Sequence, residues 1–141
     1  MNLISLVAGD FTSDDMRVMY SRGEESQRGV AILLDKEFAK RVIKMGAISD
    51  RLMLVKIKAE PVDMIVIQVY LPISDYDDEE IEKLYEEIEG VMGKEKGADN
   101  LIVMGDWNAV VGEGRDDKEV GEFGLGVRNE RDQMIVEFCK E

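Results

Sequence analysis

Apolar positions along this chain follow two rhythms: short runs bounded by turn residues, and one longer stretch in which they return every three or four residues. Gly29–Leu34 is apolar throughout and sits between turn signals, which predicts a strand. Arg51–Lys58 alternates, with Met53, Val55 and Ile57 on one side and Lys56 and Lys58 on the other, and Ala59-Glu60-Pro61-Val62-Asp63 then breaks the run before Met64–Tyr70 resumes it. The gap is short and contains a proline, so the two strands are predicted to form an antiparallel hairpin.

The helical rhythm is clearest from Asp77 to Met92, where Ile81, Leu84, Tyr85, Ile88 and Met92 share one face and the acids share the other. Asp77-x-x-Glu80 is a capping signal, and Gly93 and Gly97 are expected to end the helix. Leu101-Ile102-Val103-Met104 follows, four apolar residues that suit a strand covered on both faces. Strand, helix and strand in that order predict a β-α-β unit with the ends of the Tyr70 and Asp106 strands side by side. A hairpin joined to such a unit requires a mixed sheet, which excludes a purely parallel, doubly wound nucleotide fold.

The remaining elements carry weaker patterns. Met16–Tyr20 is a candidate strand between the polar stretches Ser13-Asp14-Asp15 and Arg22-Gly23-Glu24-Glu25-Ser26. Lys36–Lys44 stays open between strand and irregular chain. A closing helix is expected from near Asn129, capped by that residue with Asp132 three positions on, and burying Met134, Ile135 and Phe138.

The candidate chemistry lies at Gly105-Asp106-Trp107-Asn108. A strand alternates its side chains, so Asp106 and Asn108 would converge on one ligand just past the carboxyl end of a strand, where open α/β sheets bind ligands. The competing reading is a turn, since Asp and Asn bond readily to nearby backbone. Trp107 would then face the core as a packing residue. The loop glycines Gly112-x-Gly114 and Gly124-x-Gly126 do not join a strand to a helix start in a phosphate-cradling pattern and read as loop glycines. Arg128 and Asn129 open the last helix, where a phosphate would meet backbone donors and a guanidinium; the alternative is a capped surface helix.

Gly29-Val30-Ala31-Ile32-Leu33-Leu34, Tyr70-x-Pro72 and Gly105-Asp106-Trp107-Asn108-Ala109, in this order, resemble the endonuclease/exonuclease/phosphatase superfamily of metal-dependent phosphodiesterases. Ser49-Asp50-Arg51-Leu52-Met53 and Gly124-Leu125-Gly126-Val127-Arg128-Asn129-Glu130-Arg131 narrow the likeness to craniofacial development protein 2-like proteins and the endonuclease domains of LINE-type retrotransposons. The resemblance covers residues 9–141 as a partial domain and leaves 1–8 as an unmatched extension. It implies an α/β (α+β) fold, an incomplete two-sheet β-sandwich flanked by helices. It also implies roles: Asp106 aligning or activating water, Asn108 donating to a phosphate oxygen, Tyr70 placing its hydroxyl on the phosphate or leaving group, and Arg128 and Asn129 as further phosphate contacts.

The complete relatives are expected to be magnesium-dependent DNA endonucleases that hold the metal chiefly through a glutamate upstream of the matched segment and close the centre with an Asp-His pair. This chain has no histidine. The metal ligands here are therefore unknown, and turnover is expected to fall by roughly 10³-fold or more. The alternatives are a non-catalytic acidic interaction module derived from a retrotransposon endonuclease, and a phosphatase of small phosphate esters.

Charge sharpens the choice. With 31 acidic and 18 basic residues the formal net charge is −13, a field that repels a nucleic-acid backbone, although Asp75, Asp77, Asp78, Glu79, Glu80, Glu82, Glu86, Glu87 and Glu89 gather on one helical stretch. DNA is thus a partner by resemblance and disfavoured by net charge, while sheet edges left unpaired by an incomplete sandwich predict self-association. The single cysteine, Cys139, permits no intrachain disulfide, and the start of the chain has neither a basic leader nor a membrane-length apolar run, which together predict an intracellular, nuclear or cytoplasmic location.

Overall fold

Leu52–Ile57 (β5) and Met64–Tyr70 (β6) pair antiparallel from Leu52↔Val69 to Ile57↔Met64, as the interrupted alternation requires. Val42–Ala47 (β4) adds to the far side of β5, and Asn100–Asp106 (β7) runs parallel to β6, giving a mixed sheet in the order β4-β5-β6-β7. Leu6–Ser13 (β1), Met16–Gly23 (β2) and Gly29–Asp35 (β3) form a second, antiparallel sheet in chain order. The computed structural model describes residues 6–24, 28–72, 76–95, 97 and 99–141. Asp75 of the acidic run, Glu25 and Ser26 of the polar turn, and residues 1–5 of the expected extension lie outside them.

The chain divides into two compact units, one from the described residues of 1–70 and 90–106, the other from those of 71–89 and 107–141. In the first, the two sheets face each other. Met19, Val30 and Ile32 meet Met53, Val55, Ile57 and Val66 in one buried cluster, against which Leu34, Val42, Met45, Met64 and Tyr70 pack. These are the inward positions of strands whose side chains alternate, so the two-sheet, α+β reading of the sequence holds. The open stretch Lys36–Lys44 resolves into a single helical turn, Lys36–Ala39 (α1), capped by the Asp35 carboxylate, which accepts from the Phe38 amide at 2.9 Å, followed by β4.

Two expectations are corrected. The strand holding Leu101–Met104 is not covered on both faces: Leu101, Ile102 and Met104 are 40%, 43% and 41% exposed. Among the described residues β7 is the last strand of its sheet, and the buried residues that this sheet gives to the inter-sheet cluster come from β5 and β6 and none from β7. The acidic helix, Asp78–Lys94 (α2), runs through Gly93 instead of stopping there. Buried Val91 holds the last turn, so the helix absorbs the ~1 kcal/mol that an interior glycine costs.

In the second unit the predicted capping box closes the start of Glu130–Phe138 (α3): the Asn129 side chain accepts from the Asp132 amide at 2.8 Å, and the Asp132 carboxylate accepts from the Asn129 amide at 3.0 Å. Arg131 donates to Asp78 at 2.7 Å and to the Tyr76 carbonyl at 2.5 Å, tying α3 to the start of α2. Tyr85, Trp107 and Phe138 form a ring cluster with centroids 5.4–6.0 Å apart, which gives Trp107 the packing role its sequence position implied. Among the described residues, no helix is long and apolar enough to cross a membrane.

Gly105 has φ 150° and a Cβ built there would lie 1.9 Å from the Val69 carbonyl oxygen, so Gly105→Ala is expected to cost at least about 3 kcal/mol in urea unfolding, through strand displacement and backbone strain. Burial, with lesser help from Cys139 and Asp132, pushes the Tyr85 phenol up to about 12 from 10.0. Its neutral form therefore stabilises the fold fully below the unfolded pKa of 10.0, and that stabilisation is lost as pH rises through about 12. Tyr85→Phe should shift alkaline unfolding, followed by Trp107 fluorescence, to higher pH; an unchanged alkaline midpoint would remove the phenol from that transition.

Candidate active site

The parallel pairing of β6 with β7 puts Tyr70 opposite Asp106, the last residue of each strand. Register partners in a sheet project to the same face, so both positions belong to the face that carries Met64 and Val66 toward the second sheet. Two local features fix this end. Leu71-Pro72 follows Tyr70 and stops the ladder, because proline has no amide to donate. Gly105 lets the backbone before Asp106 pass close under the Val69 carbonyl, where no side chain fits.

Tyr70 is half-buried and Asp106 is exposed. A third residue holds Tyr70 in place. The Arg51 carbonyl accepts from the Tyr70 amide at 2.9 Å, the Arg51 guanidinium donates to the Tyr70 carbonyl at 3.3 Å, and its charged carbon sits 5.5 Å from the centre of the Tyr70 ring. Arg51 is only 7% exposed, as is Asp50 beside it. The loop carrying both is fastened to the other sheet by the fully buried Ser21 hydroxyl, which donates to the Ser49 carbonyl at 2.6 Å. Arg51 thus brings a fixed positive charge to the tyrosine, a role that the residue types of the motif alone did not reveal. The signal was present in the hairpin: once Leu52 is opposite Val69, Arg51 must come opposite Tyr70.

Asn108 departs from the strand argument. β7 ends at Asp106, and Asn108 has φ 45°, so alternation no longer governs where its side chain points. Its amide nitrogen donates to the Leu71 carbonyl at 2.6 Å, crossing to the residue that follows Tyr70 in sequence. The left-handed backbone suits asparagine better than most residues. This bond to nearby backbone is what the turn reading expected of Asn108.

Arg128 and Asn129, the other phosphate candidates, both make hydrogen bonds within the second unit. Arg128 donates twice to the Val111 carbonyl, at 2.9 and 2.7 Å, once to Asp116 at 2.7 Å and once to Gln133 at 2.8 Å. Asp116 is held below the usual 3.8 by the Arg128 hydrogen bond first and Lys140 second. Asn129 caps α3. This pair stitches the glycine-rich loop to the last helix. Gly112 and Gly124 make the same loop possible, because a Cβ on Gly124 would meet the Gly112 carbonyl oxygen at 1.9 Å.

Among the described residues, no group of three or more His, Cys, Asp or Glu side chains is arranged to hold a metal ion. Magnesium demands near-octahedral oxygen ligation from one or two carboxylates plus water and substrate.

The comparisons agree with the motifs. The chain is 34% identical over 133 residues to craniofacial development protein 2 of Bos taurus, and 32% identical over 133 residues to that of Tragulus javanicus. Each alignment covers 93% of this chain but only 22% and 23% of the relatives, so the chain spans about a fifth of their length. No protein-family model matches it.

Asn129→Ala removes the capping acceptor and leaves the Asp132 amide unpaired, so it is expected to cost about 1 kcal/mol of stability in urea unfolding. Asn129→Asp should keep most of that stability. Equal losses in both variants would show that capping is not what Asn129 contributes.

Proposed function

Because the chain is homologous to a part of craniofacial development protein 2, within the endonuclease/exonuclease/phosphatase superfamily, we propose that it carries one half of a phosphodiester-hydrolysing centre built on Tyr70 and Asp106, with Arg51 as the residue that positions Tyr70; the resemblance assigns Asn108 the third place. The observation that carries this reading is the register Tyr70↔Asp106 at the ends of two parallel strands. In such a centre a carboxylate aligns the attacking water, while a phenol and a carboxamide meet the phosphate as charge builds on its oxygens. Arg51 would keep the phenol oriented and add positive charge close to where that charge develops.

On its own the chain is expected to turn over slowly or not at all. The resemblance implies a centre closed by an Asp-His pair, and the chain contains no histidine. Magnesium and DNA remain parts of this proposal that rest on the resemblance; the net charge of −13 works against DNA affinity. The second reading, an acidic interaction module without catalysis, is favoured by that charge.

Supercoiled, nicked and abasic DNA, each with and without magnesium, separates the readings. The proposal expects nicking at least about 10³-fold slower than that of a complete enzyme, dependent on magnesium and abolished by Asp106→Ala. Arg51→Lys, which keeps the charge and loses the planar stack on Tyr70, should lower the rate while leaving the fold intact by circular dichroism. No cleavage at any protein concentration would favour the interaction module. Hydrolysis confined to small phosphate esters would indicate a phosphatase, and nicking untouched by Asp106→Ala would overturn the site.

A further inference from the structure

We propose that Arg28 is a phosphate-binding residue of the Tyr70–Asp106 centre, supplied to it by the antiparallel sheet. The proposal rests on the reading of that strand end as a site and adds to it a residue and a ligand class, a phosphate ester. Arg28 directly precedes β3, whose Val30 and Ile32 are buried in the cluster between the sheets, and β3 lies over β5 and β6. Gly29 still pairs with Arg22, and β2 runs on to Gly23, so the alternation carried one step further places Arg28 on the side of Val30, toward the sheet that holds Tyr70 and Asp106. A Cβ on Gly29 would meet the Arg22 Cβ at 2.9 Å, so β2 and β3 close tightly beside Arg28.

The end of the sandwich is fixed by hydrogen bonds. Val30 stands opposite Ser21, and the Ser21 hydroxyl donates to the Ser49 carbonyl at 2.6 Å. Ser49 is two residues before Arg51, whose carbonyl and guanidinium hold the Tyr70 backbone. Arg28 lies two residues from Val30, about 7 Å along the strand, toward the end where β5 begins and β6 stops. All of these residues belong to the first unit. The two arginines are placed for different tasks. Arg51 is buried and bonded to the Tyr70 carbonyl, which suits it to orient the phenol. Arg28 is exposed, and its planar fork matches two oxygens of a phosphate.

The net charge of −13 is unevenly spread along the chain. In the stretches 1–70 and 90–106 acidic residues exceed basic ones by a single residue, whereas in 71–89 and 107–141 they outnumber them three to one. The unit that carries Arg28, Arg51, Tyr70 and Asp106 is therefore close to neutral, and one well-placed cation decides whether its site attracts a phosphate.

Fluorescence anisotropy of a labelled single-stranded oligonucleotide with the full chain, in EDTA and over a range of salt, tests this apart from cleavage. Arg28→Gln is expected to bind about tenfold more weakly and to lower the slope of log affinity against log salt by about 0.7, one phosphate contact. Arg28→Lys, which keeps the charge, should keep that slope. Lys40→Gln removes the same charge beyond α1, at the other end of β3, and should change affinity by less than about twofold. Competition by phenyl phosphate that is lost in Arg28→Gln would assign the contact to a lone ester, and competition by unlabelled oligonucleotide alone would assign it to a strand. Equal losses in Arg28→Gln and Lys40→Gln, an Arg28→Lys as weak as Arg28→Gln, or no binding of either phosphate ligand would each overturn the proposal. Arg28-dependent binding with nicking untouched by Asp106→Ala would keep this contact and overturn the catalytic reading; nicking abolished by Asp106→Ala with binding indifferent to Arg28 would do the reverse.

Discussion

The parallel contact between β6 and β7 is the constraint on which the rest depends. It holds because Gly105, with its φ of 150°, lets the chain pass the Val69 carbonyl where any side chain would collide. The same contact decides two further things. It brings Tyr70 and Asp106 to a common strand end, and it makes β7 the last strand of its sheet among the described residues. Site and edge are consequences of one pairing.

Around that contact the energetics are those of a small sandwich. The inward alternation of β2, β3, β5 and β6 supplies a single apolar cluster between two sheets. Polar side chains are placed where that cluster ends: Ser21 reaches the Ser49 carbonyl, and Arg51 lies over the Tyr70 ring. Buried polar groups are affordable only when bonded, and Ser21 and Arg51 both are. Their bonds run to backbone carbonyls at the end of the sheet, so they also fix the loop and strand end that present the tyrosine.

The second unit works differently. Its order comes from a helix cap, a ring cluster and one guanidinium shared among a carbonyl, a carboxylate and a carboxamide. Arg128 and Asn129 look like anion ligands by type and position at a helix start. Inside the unit Arg128 bonds to the loop from Val111 to Asp116, and the Asn129 side-chain oxygen accepts in the cap. A helix start rich in donors serves a cap as readily as a phosphate, and neighbours distant in sequence decide which.

By itself the sequence determined the local choices. The alternation at Met53, Val55 and Ile57, the proline break and the three-to-four spacing of α2 specify strands, hairpin and helix, because side-chain period and turn chemistry are properties of neighbouring residues. The Asn129–Asp132 box was legible for the same reason, and the motif around Asp106 was legible as a strand end. Only the tertiary structure decided that β7 is an edge, that Arg51 holds Tyr70, that Asn108 turns to the Leu71 carbonyl, and that α2 continues through Gly93. Each of these depends on a partner outside the local window or on burial that it creates. A run of four apolar residues specifies a strand in either case; what covers it is set by the order of strands in the sheet.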